Sequence, residues 1–554
     1  TPRAYVERLV LPTVIEPLRA EWSDAQAAAL TLAAEGKTDE AVSELLRFHR
    51  RLCSVRVLDP ACGSGNFLYV TLEHLKRLEG EVLNALDELG HRQTGLALAG
   101  ERADAAGGET VDPHNLLGIE LNPRAAAIAE VVLWIGYLQW HFRTRGDVNP
   151  PIPVIRDFRN IENRDAVLAY DRVEYVTDKR GVPVTRWDGR TMKVSPVTGE
   201  EIPDETARVP LDRYVNPRKA VWPEADFVVG NPPFIGNKRM RTALGDGYVD
   251  ALRGAWPDVP ESADFVMYWW HHAAQLTRQS ALERFGLITT NSISQSFNRR
   301  VLEPHLTDKE RPLSLVFAIP DHPWVEGSDG AAVRIAMTVA RAGHLDGLVA
   351  RVMAEREMDA GEREVDLRSS RDTIYSTLSS GANVGAARPL KANAGLCWQG
   401  CKLVGRHFQI SPEVRQQFVE KAPESFFRLP RYTAGGDLTK NRVVRYVIDS
   451  YGLAEEEVLH QYPELYQHLR EYVFPERAQN NDRGFRTRWW LMGRPRPELR
   501  NALSGLTTYL ATSEVAKHRI FTTLDWPDDL IDGSVIAIAV EDASVLGVLS
   551  SIVG

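Results

Sequence analysis

The chain has 554 residues, 44% of them hydrophobic and 25% charged, which are ordinary proportions for folded domains and leave room for about three or four of them. Wholesale disorder and fibrous architecture are excluded, and no run approaches the ~20 apolar residues of a membrane span. With 66 basic and 75 acidic residues the formal charge is −9, so any nucleic-acid surface must be a local basic patch on an acidic protein.

The four cysteines are Cys53, Cys62, Cys397 and Cys401, and no secretory leader pattern precedes them, which fits a reducing cytoplasm. Cys397 and Cys401 lack a second Cys or His pair at zinc-site spacing, so they are expected as buried thiols and no metal is expected. The chain starts at Thr1 and stops inside the apolar run Val545 to Val553, and is expected to be a piece of a longer protein.

Residues 1–50 alternate apolar and charged positions at helical spacing, as in Val42, Leu45, Leu46 and His49, and predict a helical lead-in. Ser54 to Leu58 is a short β-rich run. It is broken by Asp59-Pro60 and followed by small residues and then a helical pattern from Phe67 to Leu89, which reads as strand, tight loop and helix. The Gly/Ala-rich stretch from Gly90 to Pro113 marks a surface insertion. A strand from Leu116 to Leu121 leads into an apolar helix from Pro123 to about Phe142.

Residues 170–222 are polar with several Pro and Gly, and predict a long loop or hairpin excursion. Further strands are expected at Ala225–Gly230, Phe285–Thr290, Leu313–Ile319 and Val333–Ala340, with helices between them. This rhythm predicts an α/β fold with a doubly wound, mostly parallel sheet over 51–345. The charged, Ser-rich residues 346–390 are expected as a linker, and 391–554, rich in Arg, Trp and Tyr, as a separate α+β domain.

Three segments carry chemistry. In Asp59-Pro60-Ala61-Cys62-Gly63-Ser64-Gly65-Asn66-Phe67 the two glycines let a ligand approach the carboxyl end of a strand. Leu68 stands where a dinucleotide fingerprint wants a third glycine, and no Gly-Lys-Ser/Thr is present, so neither NAD nor ATP is favoured. Glu120, at the tip of the next strand, is placed to accept both hydroxyls of a ribose, although a solvated capping glutamate would read the same way.

The third segment is Asn231-Pro232-Pro233-Phe234. Two prolines remove two N–H donors and stiffen the loop, leaving carbonyls and the Asn231 amide oxygen as acceptors. An exocyclic amine on a nucleobase is a poor nucleophile because its lone pair is delocalised into the ring. Accepting both amine hydrogens, at Asn231 and at the Pro232 carbonyl, frees that lone pair. Phe234 would then stack on a base once it is rotated out of the duplex.

The motifs DPACGSGNF, GIELNPRAAAIAEVVLWIGYLQW and ADFVVGNPPF resemble those of AdoMet-dependent DNA adenine-N6 methyltransferases of the gamma class. The likeness is strongest to the MmeI-type (type IIL) restriction-modification enzymes, through NPPFIGNKRMR, SADFVMYWWHHAA, ITTNSISQSF and KHRIF. This resemblance implies AdoMet as cofactor and a Rossmann-like fold. The methionine part would be surrounded by Asp59, the Ala61–Phe67 loop (Ala61, Gly63, Ser64, Gly65, Asn66, Phe67) and Thr1, and the ribose held by Glu120. Asp165 would contact the adenine ring, with Asp157 as the competing acid. It also implies a C-terminal target-recognition domain for double-stranded DNA. MmeI-type proteins carry an upstream nuclease, but no D…E-x-K cluster is evident here, so cleavage by this chain is not expected: either the nuclease part is left out of this chain or it is a stand-alone methyltransferase of a defence system, with nuclease or other defence subunits as candidate partners.

From Arg470 to Arg519 ten basic residues face five acids, and Trp489 and Trp490 interleave with them. Arg483, Arg486, Arg488, Arg494, Lys517 and Arg519 are the expected DNA contacts, with Lys440, Asn441, Arg442 and Arg445 as a second cluster. The run Trp269-Trp270-His271-His272 is expected in the core. The expected reaction is methylation of adenine N6 within a restriction-modification or phage-defence system. The alternatives are a DNA-specificity subunit without catalysis, or methylation of cytosine N4, an RNA base or a glutamine amide.

Overall fold

The computed structural model describes all residues except 90–109, 146–159, 189–190, 195–200, 205, 325–332, 358–362, 384–385, 389, 440–442, 479–481, 517–518 and 552–554. The expected insertion after Gly90 therefore lies almost wholly outside the described residues. The chain divides into two compact units, Thr1–Ala387 and Arg388–Gly554.

The first unit opens with helices α1 (Arg3–Val10), α2 (Glu16–Ala34) and α3 (Thr38–Ser54). On α3 the residues Ala41, Val42, Leu45, Phe48 and Leu52 recur at helical spacing and are buried together. A nine-stranded sheet follows, built from β1 (Val57–Asp59), β2 (Leu116–Glu120), β3 (Ile161–Asn163), β4 (Phe227–Gly230), β5 (Arg284–Thr290), β6 (Leu313–Pro323), β7 (Arg334–Ala342), β8 (Gly347–Glu357) and β9 (Arg363–Asp372). Its order is β9-β8-β6-β7-β5-β4-β1-β2-β3. The run β5-β4-β1-β2-β3 is parallel throughout, while β7 is antiparallel to both β5 and β6.

Strand side chains alternate between two cores. Val57, Leu116 and Phe227 pack on one face with α1–α3, α4 (Asn66–Glu88) and α5 (Pro123–Arg145). Leu58, Leu117 and Val228 pack on the other. That second core also takes in α6 (Asn237–Leu244), α7 (Asp246–Ala255), α8 (Met267–Arg278) and α9 (Ser296–Leu306). Helices on both faces make the sheet doubly wound, as the alternation of elements predicts. On α8, Trp269, Trp270, His271 and His272 are buried. Burial holds the two histidine pKa values down, to about 4 and about 3.

Short antiparallel ladders pair 168–169 with 218–219, 172–175 with 212–215, 185–187 with 208–210 and 192–194 with 201–203. Residues 346–390 are not a linker over their first half, because β8 and β9 extend the sheet at its edge. Their charged composition reflects an edge hairpin with few buried positions, which hydropathy cannot distinguish from a spacer. No described helix is long and apolar enough to cross a membrane.

The second unit carries two four-stranded sheets and several short helices around two small cores. Cys401 is buried there, but Cys397 is exposed, contrary to expectation. It lies on a short strand paired along only one side.

Candidate active site

Because β4, β1, β2 and β3 are parallel neighbours, their carboxyl ends share one edge of the sheet, the place where such folds build ligand sites. The chain leaves β1 at Asp59, which is 1% exposed. Its Oδ1 accepts the Ala61 N–H at 3.0 Å, while its Oδ2 is buried with no hydrogen-bond partner. Burial pushes the Asp59 pKa up to about 8, with the negative charge of Glu120 adding to it against the opposing Ala61 bond. A Cβ on Gly230 would fall 2.5 Å from Asp59 Oδ1, so only glycine at the end of β4 leaves this carboxylate its place.

The loop then turns through Gly63 (φ +54°) and Gly65 (φ +86°), both in the left-handed region, and enters α4 at Asn66. Gly65 also lies against α5, where a Cβ would be 3.2 Å from the Ala129 Cα. The first N–H groups of α4 point out of this turn without helical acceptors. Ser64 and Asn66 are exposed, whereas Phe67 is buried in the core, so only its main chain can face a ligand.

Glu120 is tied to the glycine loop. Its Oε2 accepts Gly63 N–H at 2.9 Å and its Oε1 accepts Asn122 N–H at 2.8 Å. Each oxygen keeps a further lone pair, so a fixed carboxylate remains able to take a pair of hydroxyls. Asp165, two residues past β3, accepts Val167 and Leu168 N–H at Oδ1 and the Tyr248 hydroxyl at Oδ2, 2.7 Å away. The competing Asp157 lies outside the described residues.

At the end of β4, Asn231 Nδ2 donates to the Thr1 hydroxyl at 3.1 Å, and Asn66 Nδ2 donates to the Thr1 carbonyl at 3.1 Å. The lead-in helix thus joins the glycine loop to the proline loop. Asn231 Oδ1 is buried and has no partner. Pro232 is buried, Pro233 exposed, and Phe234 half-buried. No hydrogen bond among the described residues uses the Pro232 carbonyl.

Several neighbouring residues escape a reading of the sequence alone. The Trp324 ring is edge-on to Phe234 at 6.0 Å between centroids, and Tyr5, which donates to the Pro323 carbonyl, packs on Trp324. Trp269 Nε1 donates to the Pro60 carbonyl at 3.0 Å, and Tyr248 caps Asp165. Trp324 follows the strand end His322-Pro323, and nothing in the sequence links it to residue 234.

Among the described residues, His49, Cys53 and Glu79 form one group of metal-ligand types, buried between α3 and α4. Its carboxylate is already spent on Lys76 Nζ (2.5 Å), Thr110 Oγ1 (2.7 Å) and Val111 N–H (3.1 Å). Burial alone would raise the Glu79 pKa, but Lys76, His49 and Thr110 hold it at about 2. The group reads as a closed ionic network joining two helices.

In the second unit Arg483, Arg486, Arg488, Arg494 and Arg519 are exposed, while Lys517 lies outside the described residues. Of the second cluster, Lys440, Asn441 and Arg442 also lie outside them, and Arg445 is paired with buried Asp437 at 2.6 Å. Trp489 is 3% exposed and belongs to the core, so it is no stacking platform for a base.

A family model described as the DNA-methyltransferase domain of MmeI matches residues 34–345. A curated relative, DNA methyltransferase A of Bacillus subtilis (strain 168), is 22% identical over 293 residues, which are 52% of this chain and 26% of that protein. Among solved structures, the type IIL restriction-modification enzyme MmeI in complex with DNA superposes with a TM-score of 0.63 at 19% identity, covering 100% of this chain and 64% of that one. The chain therefore spans about a quarter of the curated relative and under two thirds of the solved one.

Proposed function

The chain belongs to the MmeI DNA-methyltransferase family, and from that premise we propose that it transfers a methyl group from AdoMet to the N6 amine of an adenine rotated out of double-stranded DNA, as the modification activity of a restriction-modification system. The observation that carries this reading is the buried, partnerless Asn231 side-chain oxygen beside a Pro232 carbonyl that no described residue uses. Burying an unsatisfied acceptor costs about 1–3 kcal/mol, so an acceptor held in that state points to a ligand that donates.

The residues at the sheet edge fit AdoMet. Asp59 Oδ2, buried and partnerless, suits the ammonium of the methionine part; the left-handed turn at Gly63 and Gly65 leaves room for that chain; Glu120 suits the ribose; Asp165 suits the adenine amine. When bound, AdoMet supplies an electrophilic methyl group on a sulfonium. The protein's own residues do the rest by orientation. Asn231 Oδ1 and the Pro232 carbonyl accept the two hydrogens of the target amine, which localises its lone pair, and the prolines keep the acceptors from relaxing away. Phe234 stacks on the extruded base, an interaction worth about 1–3 kcal/mol.

Incubating unmodified plasmid with tritiated AdoMet tests the reading. Wild type labels DNA, and Asn231→Ala loses labelling while still binding AdoMet. A wild type that binds AdoMet and labels no DNA would leave only a DNA-specificity role, and label in RNA or protein would move the substrate to another planar amine.

A further inference from the structure

Asp264 is 8% exposed, no lysine or arginine pairs with it among the described residues, and its side-chain hydrogen bonds go to none of the residues placed above at cofactor or base. A carboxylate is rarely buried without a cation, because leaving water costs several kcal/mol unless donors replace it. Here three donors from three elements converge on it. Asn237 N–H, at the start of α6, reaches Oδ1 at 2.9 Å. The Ser292 hydroxyl, in the turn after β5, reaches Oδ2 at 2.8 Å, and Asn298 Nδ2 of α9 reaches the same oxygen at 2.9 Å. Asn298, fully buried, returns a bond by accepting the Asp264 N–H at 2.9 Å, and its Nδ2 also reaches the Ser292 carbonyl.

These bonds bear on the acceptor loop. Phe265 N–H donates to the Ile235 carbonyl at 2.9 Å, so the main chain is gripped at the residue after Phe234 and again at Asn237. From Ser292 the connection continues: the adjacent Asn291 donates to Asp321 at 3.1 Å, and Asp321 lies three residues before Trp324. The two aromatic rings that face each other at 6.0 Å are thus mounted on opposite ends of one hydrogen-bonded frame with Asp264 at its hub.

We propose that Asp264 is a positioning residue, holding the loop Asn231–Phe234 in register with the turn after β5 so that the acceptors and the stacking ring keep one geometry. The inference rests on the base-methylation reading for its kinetic consequence, but its structural part stands apart from it. The test is hydrogen exchange on the full chain combined with kinetics, for Asp264→Ala, Asp264→Asn and Ser292→Ala. For Asp264→Ala, exchange accelerates about tenfold, in concert, in peptides covering 231–240 and 288–298, while the 59–67 glycine loop keeps its wild-type rate. AdoMet affinity stays within about twofold, and kcat falls about 100-fold with little change in the KM for DNA, as expected for misplaced acceptors.

Asp264→Asn, which keeps one acceptor for the Asn237 N–H, recovers part of kcat, and Ser292→Ala, lacking one donor, shifts all readouts the same way by less. Should Asp264→Ala fail to fold, Ser292→Ala carries the test. Faster exchange confined to the residues next to 264, exchange that rises equally at 59–67, or an unchanged kcat would each overturn the proposal. A wild type that labels no DNA would sink the methylation reading instead, and the exchange pattern would still decide whether Asp264 holds the loop.

Discussion

Replacing Asp59 by Asn should make the protein more stable at neutral pH and nearly blind to AdoMet, a pairing that an ordinary structural residue would not give. The Asp59 pKa stands at about 8, against an ordinary 3.8. A group whose folded pKa is raised stabilises the fold below its unfolded pKa and loses that contribution as pH climbs through the folded value. At pH 7 the unfolded chain gains about 1.36 kcal/mol for each of the roughly three units above 3.8, so Asp59 costs the folded state about 4 kcal/mol. Asparagine removes that cost but buries an amide N–H₂ where Oδ2 has no partner, a loss of about 1–3 kcal/mol. The net gain at pH 7 is then about 1–3 kcal/mol, and at pH 4, where Asp59 is protonated when folded and about 40% protonated when unfolded, its cost shrinks to about 0.6 kcal/mol and the variant should be the less stable protein. Urea unfolding of both proteins at pH 4, 6 and 8 reads the crossover. In the same variant, calorimetry should find AdoMet binding weakened by about 2–5 kcal/mol, the cost of removing one partner of a buried charge pair. A stability difference that does not change sign with pH, or full AdoMet affinity in Asp59→Asn, refutes the assignment.

Gly65→Ala adds a Cβ 3.2 Å from the Ala129 Cα at a left-handed residue; thermal unfolding should report a loss of about 2 kcal/mol, with weaker AdoMet binding from the displaced loop. Phe234→Ala should lower 2-aminopurine fluorescence at the target position and weaken productive DNA binding by about 1–3 kcal/mol, while Phe234→Tyr stays near wild type; equal fluorescence in all three would remove the stacking role. Combined Arg483→Ala, Arg486→Ala and Arg488→Ala should reduce the slope of log affinity against log salt by about 0.9 for each phosphate no longer neutralised, without changing the sequence methylated.

The glycine loop, Glu120 and the proline loop were legible in the sequence because each lies at the end of a fully buried strand, where small residues, an acid or prolines interrupt an apolar run. Thr1 could be named as a cofactor contact, but its hydroxyl bond to Asn231 spans 230 positions and depends on how α1 packs beneath β5 and β7. Trp324, Tyr248 and Asp264 were missed for the same reason. Each acts on a partner tens of residues away, and its own neighbourhood resembles an ordinary strand end, helix face or helix start. The strands β8 and β9, which close the sheet at one edge, escape the sequence because both present charged residues to solvent, leaving only scattered positions such as Val349 and Val365 to report burial. Trp489 interleaves with arginines in the sequence, yet its ring belongs to the core and Arg470 lies over it from outside.

The proposed chemistry stands or falls with the Asn231 oxygen and the Pro232 carbonyl jointly activating an adenine amine. Mass spectrometry of nucleosides from DNA incubated with AdoMet and either wild type or Asn231→Ala examines this step itself. Wild type should yield N6-methyladenine, and Asn231→Ala none at equal AdoMet occupancy. Methylation at a ring carbon of cytosine, or N6-methyladenine formed as fast without the Asn231 oxygen, would contradict it.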